Sequence, residues 1–210
     1  MKILANDGIS SAGVKALEAA NYEVITVKVA QEQLISYINE NDIKALLVRS
    51  ATTARKDLVD ACPGLKLIGR GGVGMDNIDV AYAREKGVHV INTPAASSAS
   101  VAELVFAHLY GGVRFLYDSN RNMPLEGEAN FGSLKKAYAK GIELRGKTLG
   151  IIGFGRIGQE VAKIGLGVGM KVIAADPYSE GAKVPVSFFN GESVDVEINT
   201  QAMDSVLELA

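Results

Sequence analysis

The segment Gly153-Phe154-Gly155-Arg156-Ile157-Gly158 sets three glycines at the spacing with which a backbone cradles a pyrophosphate. The first glycine permits a tight turn, the second lets the backbone approach phosphate oxygens, and the third lets a helix pack closely on a strand. Amides and partial positive charge at the start of that helix complete the anion site. Asp176 follows Gly158 by 18 residues, where a carboxylate accepts hydrogen bonds from ribose hydroxyls and repels a 2′-phosphate. The pattern therefore points to NAD rather than NADP. Packing alone is the plainer alternative for the glycine turn, and a capping role ahead of Pro177 is the plainer one for Asp176.

A second set of candidates is cationic. Arg49-Ser50-Ala51-Thr52 and Arg70-Gly71-Gly72-Val73-Gly74-Met75-Asp76-Asn77 each follow an expected strand. Arginines flanking free glycine amides suit a carboxylate or a phosphate. A sharp turn with solvated arginines is the alternative.

The elements that must position these residues follow from periodicity. Ile3–Ala5, Tyr22–Val27, Ile43–Val48, Leu65–Ile68 and Val88–Ile91 are expected strands, separated by helical patterns at Ser10–Ala20, Gln31–Asn39, Arg55–Cys62 and Asp79–Lys86. Such alternation predicts a parallel sheet with helices on both faces, so the two arginine loops share one rim. From Ala95 to about Asp118 a long helix is expected, with Val101, Leu104, Val105, Leu109 and Val113 on one side, followed by a loop over Ser119–Lys140 with a short helix at Leu134–Ala139. Thr148–Ile152, Arg156–Leu166 and Lys171–Ala175 read as a second β-α-β unit. Val184–Phe189 and Val194–Ile198 read as a hairpin joined by a type I′ turn at Asn190-Gly191, and Thr200 as the cap of a last helix. The expected fold class is α/β: a flavodoxin-like parallel-sheet domain over 1–97, then an incomplete Rossmann domain over 98–210 that includes an interdomain helix over 98–118.

Composition narrows the function class. With 22 basic and 24 acidic residues the net charge is -2, which gives no electrostatic reason to expect nucleic acid or an anionic membrane as partner. The single cysteine, Cys62, cannot form an intramolecular disulfide, and the N-terminus begins as a strand pattern, so a cytoplasmic protein is expected. No apolar run reaches the roughly 20 residues that a membrane-spanning helix needs. No metal site is expected.

Val48-Arg49-Ser50-Ala51-Thr52, Gly69 to Asp79, Asn92-Thr93-Pro94 and Gly146 to Gly153 together resemble the D-2-hydroxyacid dehydrogenases, nearly end to end and in that family's order. The resemblance implies NAD-dependent oxidation of a small anionic 2-hydroxy acid, 3-phosphoglycerate, at its 2-hydroxyl, the first step towards serine. Other 2-hydroxy acids, as in hydroxypyruvate or glyoxylate reduction, and a non-catalytic NAD-responsive binding protein stay open. It further implies that Arg49, Ser50 and Arg70 hold substrate anions, that amides over Gly72, Val73 and Gly74 receive the carboxylate, and that Val73, Arg156, Ile157 and Asp176 join Gly153, Gly155 and Gly158 around NAD. Two domains flanking a cleft and a homodimer or higher homo-oligomer, with the interdomain helix helping to form the dimer, are also implied.

In that family the catalytic Arg, Glu and His lie beyond the part matched here, so no catalytic residue is expected in this chain. The two histidines, His89 in a strand and His108 in the long helix, fall outside the family's catalytic motifs and are expected to be structural or solvated. Lys135 and Lys136 read as a solvated pair. The 210-residue chain is accordingly expected to bind the ADP half of NAD without turnover. It is also expected to be poorly stable, because the strand that would cover the Leu149–Ile152 edge lies beyond it.

Overall fold

Apolar runs flanked by capped helical segments wind into two units. The structure, a computed structural model, describes residues 1–201. One compact unit spans Met1–Ser97 and a second begins at Ser98.

The first unit alternates β1 (Lys2–Ala5), α1 (Ser11–Ala19), β2 (Glu23–Ile25), α2 (Leu34–Glu40), β3 (Ile43–Val48), α3 (Lys56–Ala61), β4 (Leu67–Arg70), α4 (Val80–Glu85) and β5 (His89–Asn92), with a 3-10 turn over Gln31–Gln33 ahead of α2. All its strand pairs are parallel and the sheet order is β2-β1-β3-β4-β5, the flavodoxin-like order. Parallel strands covered on both faces become continuously apolar. Leu4, Ala5, Leu46 and Ile68 are accordingly sealed from solvent. The register pairs Ala5 with Leu47, Val48 with Arg70, and Arg70 with Asn92, so β1, β3, β4 and β5 end at one rim.

One buried polar residue fastens that rim. Asn6, 2% exposed, donates to the Val29 carbonyl (3.1 Å) and to Thr52 Oγ1 (2.8 Å) and accepts from the Val29 amide (2.8 Å). Removing the side chain strands buried polar groups, each at a cost of ~1–3 kcal/mol. Asn6→Ala is therefore expected to cost about 2 to 4 kcal/mol of unfolding free energy in urea titrations. A loss below about 0.5 kcal/mol would contradict the brace.

The second unit comprises α5 (Ser98–Val113), α6 (Leu116–Tyr138), β6 (Thr148–Ile152), α7 (Arg156–Val168), β7 (Lys171–Ala175), β8 (Gly181–Ser187) and β9 (Ser193–Gln201), with sheet order β6-β7-β9-β8. β6, β7 and β9 run parallel, and β8 returns antiparallel to β9. On α7 the residues Gly158, Val161, Ala162 and Gly165 are buried, the spacing of one helical face. A side chain on Gly165 would meet Leu149 Cδ2 at 2.9 Å, so this glycine too brings helix and sheet together. A Schellman cap ends α7, with Gly169 left-handed at φ 86° and the Met170 amide donating to the Gly165 carbonyl at 2.9 Å.

Four sequence expectations are corrected in this unit. The stretch Ser119–Lys140, expected as a loop, is largely α6, which runs through Pro124 and departs from helical angles at Asn130. Its polar composition masked it, because a helix with no fully buried residue shows little apolar period. The expected helix ending near Asp118 stops at Val113, where Phe115 turns left-handed at φ 55°. Its buried face runs through Ala102 and Phe106, whereas Leu104 is 57% exposed. The hairpin loop is not a two-residue type I′ turn: the Gly191 amide bonds the Phe188 carbonyl and the Phe188 amide the Glu192 carbonyl, leaving a three-residue loop with only Gly191 left-handed. Thr200 lies within β9 and caps no helix; the remainder of that expected helix falls outside the described residues.

Candidate functional site

Two constellations are candidates for chemistry, one in each unit. In the second unit the glycine turn joins β6 to α7. Gly153 is left-handed at φ 90°, which the tight turn requires. Gly155 caps α7 with extended backbone, and a side chain added there would meet nothing within 4 Å. This is open space of the kind a phosphate needs against the chain. Gly158 is the opposite case, since a side chain would collide with the Gly153 carbonyl oxygen and approach Ile151 Cγ2 at 3.2 Å. The first backbone bond into the helix runs from the Gln159 amide to Gly155 at 3.0 Å, so the amides of Arg156, Ile157 and Gly158 point outward as free donors at its positive end. Phe154, 1% exposed, plugs the loop into the core beneath.

Asp176 ends β7 with both carboxylate oxygens engaged: Oδ2 accepts from the Phe154 amide at 2.6 Å and Oδ1 from the Tyr178 amide at 2.8 Å. The capping role is therefore real, and it includes clamping the glycine turn. Each oxygen retains a second lone pair, enough to accept a ribose hydroxyl. Gly153, Gly155, Arg156 and Ile157 are exposed beside it. A backbone with these features fits a dinucleotide pyrophosphate.

In the first unit the rim encloses a cleft of about 750 Å³ whose walls include Asp7, Arg49, Arg70 and Asn92. Ser50 lies in an adjoining pocket of about 430 Å³ that shares Asp7 and Arg49 with the cleft. Neither the Arg49 nor the Arg70 guanidinium has a partner among the described residues, and the Arg70 Nε is buried without an acceptor. The Arg70 guanidinium lies over Gly72, where any side chain would strike it. Of the three amides expected to take a carboxylate, that of Gly72 is engaged, donating to the Arg70 carbonyl at 3.0 Å. Those of Val73 and Gly74 meet no acceptor among the described residues. Asn92 steadies the loop, its Nδ2 donating to the Val73 carbonyl at 2.7 Å, as does Thr93, whose amide bonds the Gly72 carbonyl at 3.1 Å.

Outside the cleft, Arg55 clamps the same loop by donating to Asp79 Oδ1 (2.9 Å) and to the Asp76 carbonyl (2.6 Å). The half-buried Asp79 carboxyl is held below the ordinary value of 3.8 by that hydrogen bond first of all. Sequence reasoning missed Asp7 and Arg55. Their spacing from the motifs they support, in both cases across strands, carries no local signal. No metal-ligating cluster of His, Cys, Asp or Glu occurs among the described residues, and no helix there is long and apolar enough to cross a membrane.

The pattern D-isomer specific 2-hydroxyacid dehydrogenase, catalytic domain, matches residues 3–209. The chain belongs to that family. Family membership bears out both the motif resemblance and the expected α/β architecture. A hydroxypyruvate reductase of Thermotoga maritima is 44% identical over 166 residues, covering 79% of this chain and 52% of that protein. A D-3-phosphoglycerate dehydrogenase of Methanocaldococcus jannaschii is 40% identical over 178 residues, covering 85% of this chain and 32% of that protein. Among solved structures, an NAD+-bound 3-phosphoglycerate dehydrogenase of Entamoeba histolytica superposes with a TM-score of 0.65 at 31% identity, over 85% of this chain and 55% of that one. The chain thus spans about half the length of the first and third of these relatives and about a third of the second.

Proposed function

We propose that this chain supplies the NAD pyrophosphate site and the substrate-anion site of a D-2-hydroxyacid dehydrogenase acting on D-3-phosphoglycerate. The observation that carries the cofactor half is the contrast between Gly155, open above, and Gly158, closed against Gly153. Bound NAD would supply the hydride acceptor, while the free amides of Arg156, Ile157 and Gly158 hold its phosphates and Asp176 a ribose hydroxyl. Arg49, Ser50, Arg70 and the Val73 and Gly74 amides would hold the carboxylate and phosphate of the substrate. The 2-hydroxyl must lose a proton as hydride leaves. His89 starts β5, at the end of the sheet away from the rim, and does not serve the cleft of the first unit, and His108 is exposed on α5 with no side-chain partner among the described residues. We therefore propose that the chain binds both ligands without oxidising one with the other. Exposed Leu104, Val105 and Tyr110 on α5 support a homodimer.

Hydroxypyruvate is the second reading of the substrate, favoured by the 44% identity to the Thermotoga protein. Titrating the purified chain with NAD and NADP, and following NADH with D-3-phosphoglycerate, hydroxypyruvate and glyoxylate, tests the proposal. NAD should bind at least about 10-fold tighter than NADP, a difference of about 1.4 kcal/mol from repulsion at Asp176, and no substrate should change the NADH signal. Turnover that Arg70→Ala abolishes would overturn the statement on catalysis, and equal binding of NAD and NADP that on Asp176.

A further inference from the structure

Asp7 belongs to none of the motifs above, yet it stands where the anion site is built. Its Oδ2 accepts from the backbone amides of Arg49 (2.7 Å) and Thr52 (3.0 Å), and its Oδ1 accepts from the Thr52 hydroxyl (2.7 Å). Two amides of one short loop converging on a single oxygen form an anion receptor. Here the chain's own carboxylate fills it.

The surroundings make that arrangement rigid. Thr52, 3% exposed, has one hydroxyl proton; it gives this to Asp7 and accepts from Asn6 Nδ2 at 2.8 Å, so the direction of the relay is set. On the opposite side Asn77 Nδ2 donates to the carbonyls of Arg49 (2.8 Å) and Thr52 (2.6 Å). The same two residues are gripped at their amides by Asp7 and at their carbonyls by Asn77. Burial by itself would raise the Asp7 pKa, but the hydrogen bonds from the Thr52 hydroxyl and the two amides, together with the charge of Lys28, outweigh it and hold the carboxyl below its ordinary 3.8. Asp7 is therefore an anion near neutral pH.

We propose that Asp7 is a positioning residue for the substrate-anion site: by filling the amide receptor of the Arg49–Thr52 loop, it directs an incoming carboxylate or phosphate to the Arg49 side chain and the Arg70 loop. This rests on the reading of the first unit as the hydroxy-acid site. Without the Asp7 carboxylate the receptor lies open, the loop relaxes, and a ligand anion is drawn to the wrong donors. A small carboxylate supplied from solution would restore the native arrangement.

The test is a chemical-shift titration of the 210-residue chain and its Asp7→Ala variant with D-glycerate, with and without formate. Asp7→Ala is expected to bind D-glycerate about 10-fold more weakly. Formate should then shift the Arg49 and Thr52 amide resonances and restore most of the affinity, while leaving the parent chain unaffected. Affinity equal to the parent's, or a loss that formate does not restore, would overturn the proposal. If the parent chain itself binds no D-glycerate, the hydroxy-acid reading fails and takes the proposal with it. Should Asp7→Ala not fold, Asp7→Asn decides: weaker D-glycerate binding at an unchanged melting temperature supports the positioning role, and unchanged binding refutes it.

Discussion

Gly155→Ala is expected to weaken NAD binding by about 10- to 100-fold while leaving the melting temperature within about 2 °C of the parent, and Gly158→Ala to damage binding and stability together. The two glycines sit three residues apart in one turn, so the difference must come from what surrounds each. At Gly155 the backbone is already extended and a methyl group meets no protein atom, so the fold accepts alanine. That methyl occupies the approach of a pyrophosphate to the α7 amides, where each charge-assisted hydrogen bond is worth about 1.5 to 3 kcal/mol. At Gly158 the methyl runs into the Gly153 carbonyl and Ile151, and relieving the overlap must lift α7 off β6. Overpacking of this kind costs about 1 to 3 kcal/mol, a fall of roughly 3 to 10 °C in a chain of this size. Isothermal titration with NAD and thermal melts of both variants measure it. Parent-like NAD affinity in Gly155→Ala would place the pyrophosphate elsewhere.

This contrast was half legible in the sequence. The spacing of Gly153, Gly155 and Gly158 within a strand-turn-helix context assigned the three roles, and the backbone angle of the first and the contacts of the third agree with them. What the spacing could not show is that Asp176 bonds the Phe154 amide, because that contact joins the ends of neighbouring parallel strands. The same physics divides the fold. Strands such as Ile43–Val48 and Lys171–Ala175 were readable to the residue, since burial on both faces favours a nearly continuous apolar run, broken here only by Lys44 and the leading Lys171. α6 was not, because Ser119 to Lys140 combines Pro124, glycines and charges on a helix with no residue fully buried. Asn190-Gly191 misled for a related reason: the dipeptide permits two consecutive left-handed residues, but the chain places only the glycine there and widens the loop. In the first unit, Arg49 and Arg70 were legible as candidates for holding an anion, while Asp7, Asn6 and Arg55, which hold the loops in place, act across strands and leave no local pattern.

The loop chemistry makes Arg70 the most informative side chain to remove. Its Nε is buried without an acceptor, a condition that costs about 1 to 3 kcal/mol in the absence of a ligand. Under the proposed function, that guanidinium is placed for an anion rather than for the fold. Arg70→Ala should therefore weaken D-glycerate or D-3-phosphoglycerate binding by about 10- to 100-fold while unfolding free energy stays level or rises by up to about 1 kcal/mol. An ordinary structural arginine would show the reverse, a loss of stability with little change in ligand affinity. Arg70→Lys should recover little, because an ammonium offers neither the fork that spans two carboxylate oxygens nor the plane that lies over Gly72. The packing supplies its own control. Gly72→Ala places a methyl where the guanidinium rests, and the arginine, flexible at its far end, must swing away. That variant keeps every charge in the cleft, so a matching loss of affinity would show that the position of the Arg70 guanidinium over Gly72, and not merely its charge, captures the anion. Unchanged affinity in Gly72→Ala would leave a diffuse positive potential as the basis of binding, with no defined site.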